Sequence, residues 1–256
     1  MPENKYDVFL RGLAFPAVLV LAWILVGQFG LIDPRLLVPI QRVIAVPFFD
    51  PDGRTIWLSL VTSLVRMVAG FLIGGGLGIL IGFVIGTSSL ANRLIGPSFT
   101  AVRQITVFAW IPLLTAWFGN SDGAKLVFIA LSAFFPAALN TQQGLRDVPI
   151  ALIETSHVMR LSWRTHLFRL LLPSALPSIA IGIEIALISA WIGTVGAEYA
   201  MGFGRGIGIF LAEGREQFRM DIVLIGVVTL ALVGYGMNIV LRCGLRRLVP
   251  WQRQNS

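Results

Sequence analysis

Long apolar runs alternate with short polar ones along this chain, and six of the runs approach the length of a membrane span. The first covers 13–29 behind Lys5 and Arg11. No small-x-small cleavage site follows it, so an uncleaved span is expected rather than a signal peptide. The others cover 61–86, 101–118, 124–144, 175–195 and 222–241, close to the 17–25 or so residues a helix needs to cross the hydrocarbon. Pro34, Pro39, Pro47 and Pro51 interrupt the stretch between the first two runs, which predicts short interfacial pieces there. The pattern predicts an all-α membrane protein: six transmembrane helices in a single domain over 1–256.

One polar stretch, 146–177, stands apart. It carries four arginines, two histidines, Asp147 and Glu154, too much charge for a bilayer interior. Yet Leu152, Ile153, Val158, Leu161, Leu167, Phe168 and Leu171 recur at helical spacing and glycine is absent. One or two amphipathic helices at the membrane surface are expected, offering a half-apolar face to a partner.

Composition sharpens the class. Of 256 residues 56% are apolar and 13% charged, against about 25% charged in soluble domains. The net charge of +7 would suggest nucleic acid in a soluble protein. Here the basic residues sit at the ends of apolar runs, and anionic lipid explains them better. One side collects Lys5, Arg11, Arg93, Arg103, Arg146, Arg160, Arg164, Arg169, Arg242, Arg246, Arg247 and Arg253. The other collects Arg35, Arg42, Arg54, Lys125, Arg205, Arg215 and Arg219. That bias puts both termini and the central loop in the cytoplasm. Cys243 is the single cysteine, so no internal disulfide forms, and His157 and His166 have no evident third metal ligand.

Two features lie inside the runs. Gly70, Gly74, Gly78, Gly82 and Gly86 repeat every fourth residue, each costing about 1 kcal/mol in a helix. In lipid, close approach of another helix explains such a ladder, either as fixed packing or as a sliding surface. Charges are few: Arg66 in the second run, Glu184 in the fifth and Glu198 just past its end. They read as structural ion pairs or as contacts along a solute pathway. No phosphate loop, zinc-protease helix or nucleophile elbow occurs, which argues against an enzyme.

The polar stretch resembles the cytoplasmic EAA loop of the membrane subunits of bacterial ATP-binding-cassette importers. Glu154-Thr155-Ser156 opens the motif, Arg160 takes its glycine position, Leu170 its aliphatic one, and Leu172-Pro173 closes it. Phe108–Val148, Val195–Asp221 and Arg246–Trp251 are similar to the matching segments of permeases for nitrate, alkanesulfonate, taurine and bicarbonate, a likeness over roughly 55–251. The departures are Thr155 and Ser156 for alanines, Arg160 for glycine, and Glu184 where relatives often carry arginine. Arg160 implies either a differently shaped turn or a divergent branch, since a positive φ disfavours side chains.

The resemblance implies a type I (MetI-like) importer fold in the bacterial inner membrane, built from two copies as a homodimer or from two related chains. A periplasmic binding protein delivers the solute, and two separate ATPase subunits bind the ATP and Mg. Their coupling to this chain would run through the loop 146–173, by Glu154, Thr155, Ser156, Arg160, Leu161 and Pro173. Glu154 would meet a basic residue of the ATPase or cap the helix start. A small anion such as nitrate, a sulfonate or taurine is the expected cargo. Trp110, Pro112, Trp117 and Trp191 join Glu184 and Glu198 as candidate pathway contacts, packing being the alternative for the tryptophans. The competing class is an ion-coupled carrier or channel, which would place paired charges and broken helices at mid-membrane.

Overall fold

The apolar runs fold into helices, and among the described residues no strand forms. The computed structural model describes residues 38–248 together with Val18, 21–26 and Phe29; the side chains of His157 and 246–248 are outside that description. The expected first span, 13–29, therefore lies largely outside the described residues, as does the end of the segment Arg246–Trp251.

In chain order the helices are α1 (Ile40–Phe49), α2 (Thr55–Thr87), α3 (Ser89–Arg103), α4 (Ile111–Phe118), α5 (Asp122–Arg146), α6 (Ile150–Val158), α7 (Trp163–Met201), α8 (Ile207–Glu216) and α9 (Met220–Leu248). A turn of 3-10 helix, Val107–Trp110, leads into α4, and α7 is π-helical over Leu167–Leu171. Helices α2, α5, α7 and α9 are long and apolar enough to cross a membrane.

Over 101–118 the chain is not one straight helix. Helix α3 and the Val107–Phe118 segment meet at 91°, a broken pair that counts as a fifth crossing only when taken together. Pro112, in the first turn of α4, explains part of this. Its fixed φ and missing N–H suit a helix start and disfavour a helix interior. The elbow joins a mixed helix, α3, to an apolar one, α4.

Contacts gather into two compact units. One comprises the described part of Met1–Trp57 with Phe210–Thr229; the other comprises Leu58–Ile209 with the described part of Leu230–Ser256. In the second unit α5 is the central helix. Along one face of it runs the glycine ladder of α2. A Cβ on Gly74 would strike the Ala130 carbonyl and one on Gly82 the Ala138 carbonyl, while Gly70 meets Ile129, Gly78 meets Phe134 and Ala137, and Gly86 meets Leu145. Only hydrogen in place of a side chain lets the two backbones approach this closely. Along another face lies α7, where Gly144 meets Ser178, Gly182 meets Asn140 and Gly193 meets Ser132.

The first unit is pinned by one arginine. Arg219 donates to Asp50 at 2.5 Å, Asp52 at 3.0 Å and Asp221 at 3.1 Å. Asp50 also accepts the N–H groups of Asp52 and Gly53. These bonds, led by the Arg219 one, hold the Asp50 carboxyl below its ordinary range against the opposing cost of burial. Phe218 just before Arg219 is left-handed at φ 55, and the Arg219 N–H returns to the Gly214 carbonyl at 2.8 Å, ending α8.

Candidate functional site

The polar stretch folds as two helices around a tight turn. Pro149 starts α6, its carbonyl accepting from Leu152 and Ile153. Glu154 is thus the fifth residue of the helix Ile150–Val158 and points into solvent. It does not cap the helix start, which corrects one of the two roles the sequence left open. Arg160 has φ 48, and the Leu161 N–H reaches back to the Ser156 carbonyl at 3.1 Å. That is a helix end of the Schellman kind, whose left-handed position is usually glycine. The turn therefore keeps the glycine shape with an arginine in it. Ser162 then caps α7, its hydroxyl accepting from the Thr165 N–H at 3.3 Å.

Side chains fix the two helices to each other and to the core. Ser156 is buried; its Oγ bonds the Ile153 carbonyl at 2.6 Å and lies 2.9 Å from His166 Nδ1. Thr155 is exposed, its hydroxyl turned back to the Ala151 carbonyl. Leu167 and Leu171 pack with Leu145, Val148, Ala175 and Ile179, with Ile153 and Leu170 against them. Leu161 and Pro173 are half-buried. The exposed residues of these helices are large apolar ones and charges: Val158 is 83% exposed, and Ile150, Met159, Trp163 and Phe168 are exposed, as are Glu154, Arg160, Arg164 and Arg169. A platform anchored on the core thus exposes one carboxylate, three arginines and several large apolar side chains.

At the other ends of α2, α5 and α7 lies a buried polar knot. Glu198 is fully buried, three residues inside the end of α7 rather than beyond it. It pairs with Arg66, accepts from Ser63 Oγ at 2.8 Å and takes the Gly208 N–H at 3.0 Å. Arg66 also donates to exposed Asp122 at 2.8 Å and to the Arg205 carbonyl at 3.3 Å. Ser63 accepts the Ile207 N–H at 2.9 Å. Lys125, fully buried, donates to the Phe203 carbonyl. Gly206 and Gly208 leave the space the Glu198 carboxylate fills. Two cations face two anions, with remaining hydrogen-bonding capacity taken up by backbone, the condition under which buried charge is tolerated. Such a knot locks three helices.

The other candidates are scattered. Glu184 meets Arg242 at 2.5 Å and accepts from Asn238 at 3.3 Å, an ion pair between α7 and α9. Trp191 is buried and donates to the Leu230 carbonyl at 3.3 Å. Trp110 packs against Leu114, Ala124 and Phe128, its indole N–H buried without a partner. Trp117 is exposed and Pro112 begins α4. The structure brings Arg66 and Glu198 together, and leaves Glu184 and the tryptophans apart from them. Ser63, Asp122 and Lys125 carry no signal of their own in the sequence; only proximity in space reveals them.

Comparison with known proteins agrees with this architecture. The family described as "Binding-protein-dependent transport system inner membrane component" matches residues 74–254. The putative aliphatic sulfonates transport permease protein SsuC of Bacillus subtilis (strain 168) is 33% identical over 252 residues, covering 98% of this chain and 91% of that protein. The taurine transport system permease protein TauC of Escherichia coli (strain K12) is 30% identical over 240 residues, covering 92% and 87%. Among solved structures, the MetNI methionine ABC transporter in inward-facing conformations shares the fold, at TM-score 0.56 and 22% identity over 77% of this chain and 94% of that one. A family match over more than half the chain and a one-third identity over nearly all of it agree: this multi-pass membrane protein belongs to the inner-membrane permease components of binding-protein-dependent ABC transport systems.

Proposed function

We propose that the chain is the membrane subunit of an ATP-driven importer for a small sulfonate-type anion, moved by separate ATPase subunits that grip the α6–α7 platform. The observation that carries this is the platform itself. Val158, Met159, Trp163, Phe168 and Glu154 are all exposed on helices anchored by Leu167 and Leu171. An apolar face of this kind at a membrane surface calls for a protein partner. The rigid connection through Ser156 and His166 lets force on α6 pass into α7, the helix packed along α5.

The rest of the assembly follows from that role. Two copies of the chain form the path between them. A binding protein hands over the solute at the ends of α2, α5 and α7 that hold the Arg66–Glu198 knot. The platform and both termini face the cytoplasm of a cell whose inner membrane the chain spans, and ATP with its Mg binds the ATPase subunits. Sulfonate and taurine import by SsuC and TauC, as their names state, supports an anion as cargo, as does the excess of basic residues.

The test is Glu154→Arg. Exposed ion pairs contribute about 0.2–1 kcal/mol, but a partner that covers Glu154 raises its loss to about 2–5 kcal/mol, roughly 30-fold or more in docking. The variant should reach the membrane at normal abundance, while ATPase subunits co-purify poorly and solute-stimulated ATP hydrolysis is lost. Glu154→Gln should be milder. Normal co-purification and transport by Glu154→Arg would remove the platform from the coupling role.

A further inference from the structure

Between the α3–α4 elbow and the middles of α5 and α7 lies an open pocket of about 330 Å³, whose lining includes Arg103, Thr106, Phe108, Ser132, Phe135 and Ser189. We propose that it binds the oxyanion group of the transported solute, with the Arg103 guanidinium supplying the charge; this rests on the anion-import reading and names its recognition site.

Depth makes the arginine unusual. Ser132 lies ten residues in from Asp122, and Ser189 twelve before Met201. At 1.5 Å per residue both are roughly 15–18 Å from the helix ends, near the centre of a hydrocarbon layer about 30 Å thick. Arg103, expected at the cytoplasmic flank, ends the 15-residue helix α3 and lines the same pocket as Ser132 and Ser189. Among the described residues it has no ion-pair or hydrogen-bond partner, and no carboxylate lines the cavity. An arginine at that depth faces a partner or water rather than lipid.

A purely local role for Arg103 fits poorly. It closes α3, where a cation favours the helix end, but the last carbonyls are already taken: Ala101 accepts from Gln104, and Val102 from Ile105, each at 3.1 Å. The guanidinium keeps its donors for something else.

The rest of the lining suits an anion with a short organic tail. Thr106 and Ser189 have hydroxyls with no acceptor among the described residues, so they are free to donate. Ser132 Oγ is different, since it already donates to the Phe128 carbonyl at 2.9 Å. Phe108 and Phe135 form an apolar wall, which lowers the local dielectric and strengthens the charge–charge attraction. The volume is about ten times the space of one water, enough for nitrate or a two-carbon sulfonate. Arginine binds planar and tetrahedral oxyanions through paired N–H donors, which lysine cannot reproduce in geometry though it does in charge.

The experiment uses the full-length permease with its ATPase subunits in nanodiscs of neutral lipid, titrated calorimetrically with ethanesulfonate, taurine and nitrate. Arg103→Gln should weaken binding of the preferred anion about tenfold or more, and Arg103→Lys by only about threefold. Thr106→Val with Ser189→Ala should weaken it less than Arg103→Gln. Retention of ATPase subunits and permease abundance should stay at wild-type levels throughout. Wild-type affinity in Arg103→Gln overturns the proposal, and so does a loss in Thr106→Val with Ser189→Ala greater than that in Arg103→Gln. A parallel titration with phosphatidylglycerol in the discs separates a solute from a lipid headgroup. If that lipid alone binds in an Arg103-dependent way, the cavity is a lipid site and the proposal falls. Uptake by the wild-type complex separates the two readings. No anion uptake at all fails the importer reading together with this one; anion uptake with affinity indifferent to Arg103 fails this one alone.

Discussion

Arg160 holds a backbone conformation, φ 48, that costs a side-chain-bearing residue about 1–2 kcal/mol. Glycine takes it freely, although it loses more entropy on folding. Arg160→Gly should therefore raise the melting temperature slightly, by a net gain of up to about 1 kcal/mol, read by thermal unfolding of the purified protein. ATPase co-purification should persist; its loss would mean that the guanidinium itself touches the partner. At the buried knot the expected sign is opposite. Glu198→Leu leaves Arg66 with only exposed Asp122 as a carboxylate partner, at a cost of about 3–5 kcal/mol. The double variant Arg66→Leu with Glu198→Leu should recover part of that, a coupling that a double-mutant cycle measures. Both charges were legible in the sequence as oddities near apolar runs. Their pairing was not, since 132 residues separate them and neither flank encodes the other. Arg160 was legible as a departure, but only coordinates show that the turn keeps its left-handed shape.

Helix α2 tests packing at the scale of an element. Gly74 is buried with its would-be Cβ inside the Ala130 backbone, whereas Gly76, two residues on, is exposed with nothing within 4 Å. Gly74→Leu should destabilise by about 1–3 kcal/mol or more as α5 is pushed away. Gly76→Leu should be neutral or stabilising by about 1 kcal/mol, because leucine is the better helix former. Equal effects at the two positions would mean that propensity, not contact with α5, governs α2. The four-residue spacing announced a helix with a small-residue face; it could not name α5 as the neighbour. The elbow after α3 was less legible still. Residues 101–118 read as one apolar run in spite of Arg103, Gln104 and Thr106, the polar interruption at which the chain breaks.

For the whole molecule, sidedness is the property most directly checked. Cysteines at Thr155 and Asn120, both exposed, in a Cys243→Ser background should react with an impermeant reagent from opposite faces of the membrane. Labelling of both in intact cells would contradict the orientation drawn from the basic residues. Acid should weaken the Arg219 contacts of the first unit. Asp50 titrates lower when folded than when unfolded, so its contribution is complete above its ordinary value of 3.8 and fades as pH falls through the lower folded value. Asp50→Asn should melt earlier than wild type near neutrality, and the gap should close in acid below that range. Hydropathy made the membrane class legible, because lipid demands long apolar helices. It left open how those helices meet, which depends on glycines, elbows and buried ions.

The Arg66–Glu198 pair also sets a schedule for synthesis. Arg66 enters the bilayer with α2, while its fully buried partner is made 132 residues later. At about 5–20 residues per second the ribosome needs roughly 7–26 s to supply it. Asp122, the other acidic partner that the finished structure gives Arg66, is made 56 residues after it, so it can stand in for only the later part of that interval. Quality-control proteases thus have a window in which an incomplete chain differs from a complete one. Chains truncated before Glu198 should turn over faster in pulse-chase than full-length chains, and Arg66→Leu should lengthen the life of the truncated ones alone.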